Sequence, residues 1–141
     1  MSSKTPELND LIGKPFVFKG RGEQGYDCWG LVLKVFHRFG IEIPDYSVSA
    51  ETACEDSDVK EISSKFREEE SNNSNWKKLS KPEVPCIVLL RINIYFSHHV
   101  GVYLGYGKFI HSHRSCGVNI ERTTDVFWKN NVKGYYIYVG R

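Results

Sequence analysis

No stretch of the 141-residue chain is apolar and long enough to span a membrane, and no apolar run follows the segment from Met1 to Glu7. Membrane insertion and a secretory signal are therefore not expected, and the protein is expected in the cytoplasm on synthesis. No two of the four cysteines (Cys28, Cys54, Cys86 and Cys116) stand at CxxC spacing. This argues against a thioredoxin-like motif and a zinc ribbon. In a reducing compartment all four are expected as thiols. Charge is nearly balanced, 19 Lys and Arg against 17 Asp and Glu, for a net +2. Neither a nucleic-acid partner nor a polybasic membrane anchor is expected from that balance. No internal repeat and no low-complexity linker interrupts the chain. What remains is 40% hydrophobic and 26% charged residues, with eight Tyr and eight Phe. That is the composition of one globular domain with one core, rich in half-buried strands.

The pattern along the chain is helical first and strand-like later. Thr5, Pro6, Leu8, Leu11 and Ile12 predict a short helix over residues 5–13, closed by Gly13. Phe16 to Phe18 is extended, and the loop from Lys19 to Gly25 carries three glycines. A second helix is expected from Cys28 to Phe39, with Asp27 as N-cap and Gly40 just past its end. Its apolar residues cover most of its circumference, and Lys34, His37 and Arg38 form the polar side. Residues 45–81 read as a variable helical insertion, with Val59, Ile62 and Phe66 on one face. From residue 84 the period shortens to that of strands. Strands are expected at 84–91, 97–104, 108–112, 118–121 and 135–139, the second and third joined as a hairpin through Gly105-Tyr106-Gly107. Helices followed by an antiparallel meander make an α+β layout.

The chemistry concentrates at Cys28. A helix start carries partial positive charge, which favours thiolate over thiol. Cys54 lies in a polar loop, Cys86 opens an apolar strand as a core residue, and Cys116 sits at an exposed turn. A nucleophilic thiol needs a base and a group to orient that base. Of the five histidines, His37 is on the polar side of the helix, and His98 and His99 point to opposite faces of one strand. His99 shares its face with Gly101, which is expected to leave room for another element beside the ring. The hairpin brings His111 near His99, close enough to fix its tautomer. A helix-start cysteine or a strand histidine is, taken singly, more often structural than catalytic. The combination points to thiol–imidazole chemistry. A metal site from His98, His99, His111 and His113 is disfavoured, because no carboxylate stands among them in the sequence.

Three stretches resemble the motifs of the NlpC-type cell-wall peptidases, which are papain-like cysteine peptidases. These are Tyr26-Asp27-Cys28-Trp29-Gly30-Leu31-Val32, then His99-Val100-Gly101-Val102-Tyr103-Leu104-Gly105, then Gly107-Lys108-Phe109-Ile110-His111-Ser112. The resemblance runs from about residue 11 to the C-terminus, apart from residues 45–81. It implies a papain-like fold, with the nucleophile at a helix start packed on an antiparallel sheet. It implies Cys28 as nucleophile, His99 as base and His111 as the orienting residue, with Tyr26, Asp27 and Trp29 at the substrate and no cofactor or metal. The implied reaction is hydrolysis of an amide in peptidoglycan stem peptides, commonly between D-glutamate and a diamino acid. Trp29 stands where secreted members commonly carry serine. Together with Phe39-Gly40-Ile41-Glu42-Ile43-Pro44-Asp45-Tyr46, it is similar to the branch associated with phage tails, and suggests other tail proteins as partners and the virion tail as a location. Pro85-Cys86-Ile87 departs from the family's usual Pro-Gly-Asp. A non-enzymatic tail-tip component of the same fold, or a papain-like acyltransferase or amidase, would share these features.

Overall fold

The computed structural model describes residues 5–22, 24–45, 75–91 and 99–140. The expected helix around residues 59–66, together with Cys54 and His98, lies outside the described residues. Among the described residues, no helix is long and apolar enough to cross a membrane.

One helix, α1 (Cys28–Arg38), packs on a sheet of six antiparallel strands. A small hairpin, β1 (Arg21–Gly22) and β2 (Gly25–Tyr26), leads into the helix. The large sheet contains β3 (Trp76–Leu79), β4 (Cys86–Leu90), β5 (His99–Gly105), β6 (Lys108–His113), β7 (Gly117–Arg122) and β8 (Val132–Tyr138). Its order is β3-β8-β4-β5-β6-β7. The run from β4 to β7 is the expected meander. The last strand then returns to the far side of β4 and carries β3 on its outer edge. The observed strands of the large sheet match the expected ones to within a few residues, except that β3 falls in the stretch 45–81 expected as a helical insertion, and the small hairpin β1–β2 falls where a loop was expected. Trp76 of β3 is buried edge-on to Trp29, Phe36 and Tyr138, so one aromatic anchors a strand whose next two residues are lysines.

Alternation along the strands divides the core into two layers. Ile87, Leu89, Val100, Val102 and Ile110 face α1 and pack with Leu31, Val32, Val35 and Phe36. Val88, Leu90 and Phe109 face the other way and are covered by Trp128. All five residues of β4 are buried, as befits a central strand covered on both faces.

The expected helix at residues 5–13 is not formed. Only a three-residue 3₁₀ turn is present, Asn9–Leu11, with Leu8 rather than Thr5 at its cap and no side-chain cap. So short a segment gains little from helix propagation. The chain instead pairs with β7, where Gly13 N–H donates to the Val118 carbonyl and Val118 N–H to the Lys14 carbonyl, both at 2.9 Å.

Candidate active site

The start of α1 is built around Asp27. Its Oδ1 accepts the Gly30 N–H at 2.7 Å, the expected N-cap, and also accepts from Arg21 Nη1 at 2.7 Å. Burial pushes the Asp27 carboxyl up, and the Arg21 charge and the Gly30 N–H oppose that. Arg21 reaches onward to Asp45. Trp29 is 1% exposed and donates its Nε1–H to the Pro44 carbonyl at 3.1 Å. Asp27 and Trp29, expected at the substrate, are thus committed to holding the helix start, and Trp29 presents almost no surface to a ligand. Tyr26 is also buried, and its carbonyl accepts the Ser112 hydroxyl at 2.7 Å. That bond ties the residue two before Cys28 to the end of β6, on the strand that carries His111.

Cys28 itself is buried as the first residue of α1. The helix packs on β5 and β6, and the Ser112 bond brings its start to the sheet end where β5 begins with His99. His99 and His111 are both fully buried. His99 Nε2 lies 2.8 Å from His111 Nδ1, a hydrogen bond across the hairpin. Val102 pairs with Ile110. Continued along the ladder, that register sets Gly101 opposite His111, so His99 and His111 are diagonal neighbours. A Cβ on residue 101 would fall 3.0 Å from His111 Cβ and 2.8 Å from the Ile110 carbonyl oxygen. Gly101 therefore opens the diagonal between the two rings. It does not make room for the helix, as expected from sequence, because its face of β5 is the one turned away from α1.

Two residues not singled out in the sequence complete the cluster. His111 Nε2 is 2.8 Å from Glu121 Oε2 on β7. The other carboxylate oxygen, Oε1, accepts the Trp128 Nε1–H at 2.9 Å. The bond from His111 holds the Glu121 carboxyl below its ordinary value, burial opposing and the Trp128 bond assisting. Trp128 also stacks on His99, with centroids 6.2 Å apart and an interplanar angle of 17°. The signal was in the β6–β7 hairpin. His111 pairs with Asn119, which places Glu121 one same-face step further along.

His99 has one ring nitrogen left. Among the described residues, Nδ1 has no hydrogen-bond partner. Burial, then the neighbouring His111 and His113, hold the His99 pKa well below 6.5. Burial and His111 lower His113 as well. The native state thus resists protonating these rings while the unfolded chain accepts protons at about pH 6.5. Stability is then lost as pH falls below that value. The melting temperature is expected to drop between about pH 6.5 and pH 5, before most carboxylates titrate. His99→Phe should flatten that drop, and thermal melts over the pH series check it.

Cys86 and Cys116 fit their expected places. Cys86 is fully buried, and burial pushes its thiol up to about 11. Cys116 is exposed, 3.3 Å from Asn119 Nδ2. Beside the histidines lies an open concavity of about 180 Å³ bordered by His113, Ser115, Cys116, Glu121, Phe127 and Trp128. A carboxylate does join the histidines, contrary to the reading from sequence, but it is spent as acceptor for His111 and Trp128. Among the described residues, no group of three or more His, Cys, Asp or Glu side chains is arranged to hold a metal ion.

Comparison with known proteins supplies the context for this arrangement. The NlpC/P60 family model matches residues 13–136. The gamma-DL-glutamyl hydrolase of Bacillus subtilis is 29% identical over 133 residues, which are 91% of this chain and 27% of that protein. The murein DD-endopeptidase MepS/murein LD-carboxypeptidase of Escherichia coli K12 is 27% identical over 121 residues, 85% of this chain and 53% of that protein. The chain thus spans about half or less of the length of these relatives. Among solved structures, the NlpC/p60 domain of the peptidoglycan hydrolase SagA superposes with a TM-score of 0.54 at 19% identity, covering 92% of this chain and 91% of that one. NlpC2 from Trichomonas vaginalis superposes with a TM-score of 0.60 at 18% identity, covering 93% and 43%. These two share the fold.

Proposed function

Because the chain belongs to the NlpC/P60 family, we propose that it is a cysteine peptidase that hydrolyses amide bonds in peptidoglycan stem peptides, with Cys28 as nucleophile, His99 as base and His111 as the residue that orients it. One observation carries the assignment of roles. The His99–His111 bond occupies Nε2 of His99, so the buried nitrogen left to take a proton is Nδ1.

In this reading, His99 Nδ1 takes the Cys28 proton, and the thiolate attacks the substrate carbonyl carbon. The oxyanion that forms lies at the start of α1, where the Cys28 N–H and the helix dipole favour negative charge. The proton on Nδ1 passes to the leaving amine as the C–N bond breaks. Water then attacks the thioester, giving its proton to His99, and the proton returns to Cys28 as the thiolate leaves. A neutral His99 at ordinary pH is the state this sequence needs, and its burial favours that state.

The relatives' names point to three different bonds, a γ-linked glutamyl amide, a D,D-amide and an L,D-amide. We take the D-glutamyl–diamino acid bond as substrate, in line with the sequence resemblance. Trp29 and the segment after α1 support a phage or prophage tail association, with other tail proteins as partners. The test is digestion of several murein chemotypes and free stem peptides, with new termini read by mass spectrometry. A new D-glutamyl carboxyl terminus is the expected result. Products ending at D-alanine would move the assignment to the D,D bond, and unchanged spectra on every chemotype would remove the peptidase reading.

A further inference from the structure

Glu121 and Trp128 lie outside the Cys28–His99–His111 set, yet they decide where its protons sit. Trp128 Nε1 can only donate, and it donates to Glu121 Oε1. The second oxygen, Oε2, faces His111 Nε2 at 2.8 Å. An ionised carboxylate can only accept, so His111 must carry its hydrogen on Nε2. In a neutral His111, Nδ1 is then an acceptor, and the hydrogen of the 2.8 Å bond to His99 sits on His99 Nε2. That leaves a lone pair on His99 Nδ1. We infer that Glu121, held by Trp128, is a positioning residue that fixes both histidine tautomers and so keeps His99 Nδ1 free to accept a proton. The inference rests on the proposed roles of Cys28, His99 and His111. It adds that the orienting group is itself oriented.

The chain of donors has a direction, and an amide at residue 121 reverses it. Gln has one accepting oxygen and one donating NH₂, where Glu has two accepting oxygens. The Trp128 N–H is buried and cannot become an acceptor, so it claims the oxygen. The NH₂ then faces His111 Nε2. His111 can satisfy it by moving its hydrogen to Nδ1. His99 must follow, accepting at Nε2 and carrying its hydrogen on Nδ1. Every pair in the chain is then satisfied, and the base is blocked. Removing the Trp128 donor frees the amide oxygen to turn toward His111, and the original arrangement returns.

The test reads tautomers and kinetics on the same folded protein. Imidazole ¹⁵N shifts of the wild type should show both His99 and His111 protonated at Nε2, and Glu121→Gln should show both protonated at Nδ1. On the stem peptide that the digest identifies, Glu121→Gln should lower kcat by about 10- to 100-fold with little change in KM. The double variant Glu121→Gln/Trp128→Phe should recover most of that loss when each is measured against its own background, Trp128→Phe for the double variant and wild type for the single one. Loss of fold would not produce a rescue by a second core substitution. A wild-type His111 protonated at Nδ1 overturns the inference whatever the variants do. So does a Glu121→Gln enzyme with wild-type kcat, or a double variant that loses as much against its own background as the single one does. If the wild type cleaves no murein at all, the peptidase reading falls, and the ¹⁵N tautomers still decide the role of Glu121.

Discussion

Cys28→Ala is expected to abolish amide hydrolysis, lowering kcat/KM by about 10⁴-fold or more. The substitution removes the atom that forms the thioester and leaves everything that builds the site. Asp27 still caps Gly30, Ser112 still holds the Tyr26 carbonyl, and the His99–His111–Glu121 chain contains no atom of residue 28. Loss of one buried sulfur costs about 1 kcal/mol of stability, so the melting temperature should move by only a few degrees. A folded, inactive variant is therefore the expected result. Cys86→Ala is the matching control. Its thiol is equally buried, but on the sheet and protonated at neutral pH because burial raises it to about 11. It should lose some stability and keep its activity. Digestion assays beside thermal melts separate the two.

Gly30→Ala should be the most damaging small change to the fold. A Cβ on residue 30 would fall 2.0 Å from the Gly20 carbonyl oxygen and 3.0 Å from Asp27 Oδ1. The first clash is with backbone, which no rotamer can relieve. The second is with the oxygen that caps the helix. Either the Gly20 turn moves away, taking Arg21 with it, or the first turn of α1 lifts from its cap. The expected cost is about 3 kcal/mol, or roughly 10 °C in melting temperature for a domain of this size. Activity should fall further than stability requires, because the displaced turn is the one that carries Cys28. Chemical denaturation and residual hydrolysis, measured below the melting transition, check both parts. A variant as stable as the wild type would mean that the Gly20 loop adapts freely.

The sheet was legible in the sequence because its strands are short apolar runs separated by glycine turns. The helix was legible because Asp27, the apolar stripes and Gly40 each marked it. The short N-terminal helix was misread because its periodicity was real but brief, and a pairing with β7 about a hundred residues away outcompeted it. Strand β3 was missed because only Trp76 of its four residues is buried, and two exposed lysines follow it. In the site, the closeness of His99 and His111 was legible from the spacing of the hairpin. Glu121 was not, because a single acidic residue on an alternating strand looks like solvated surface until the β6–β7 register is known. Trp128 was hidden for a related reason. It sits in an irregular turn beside the exposed Val126 and Phe127, where no period distinguishes the one side chain that turns inward. Asp27 and Trp29 were placed at the substrate by the family resemblance of the stretch around Cys28. Their hydrogen bonds to Gly30, Arg21 and Pro44 show them bracing the helix instead.

The central claim is that Cys28 is activated by His99 at the helix start, and site-resolved alkylation tests it directly. Accessibility alone would rank Cys116 first, since it is exposed while Cys28 is 4% exposed. Only thiolate character can reverse that order. With limiting iodoacetamide at about pH 6, where an unperturbed thiol is almost wholly protonated, mass spectrometry should find Cys28 labelled before Cys116 and Cys86. His99→Ala should slow Cys28 by about tenfold or more and leave Cys116 unchanged. Labelling of Cys116 ahead of Cys28 in the wild type, or a Cys28 rate indifferent to His99→Ala, would contradict the claim.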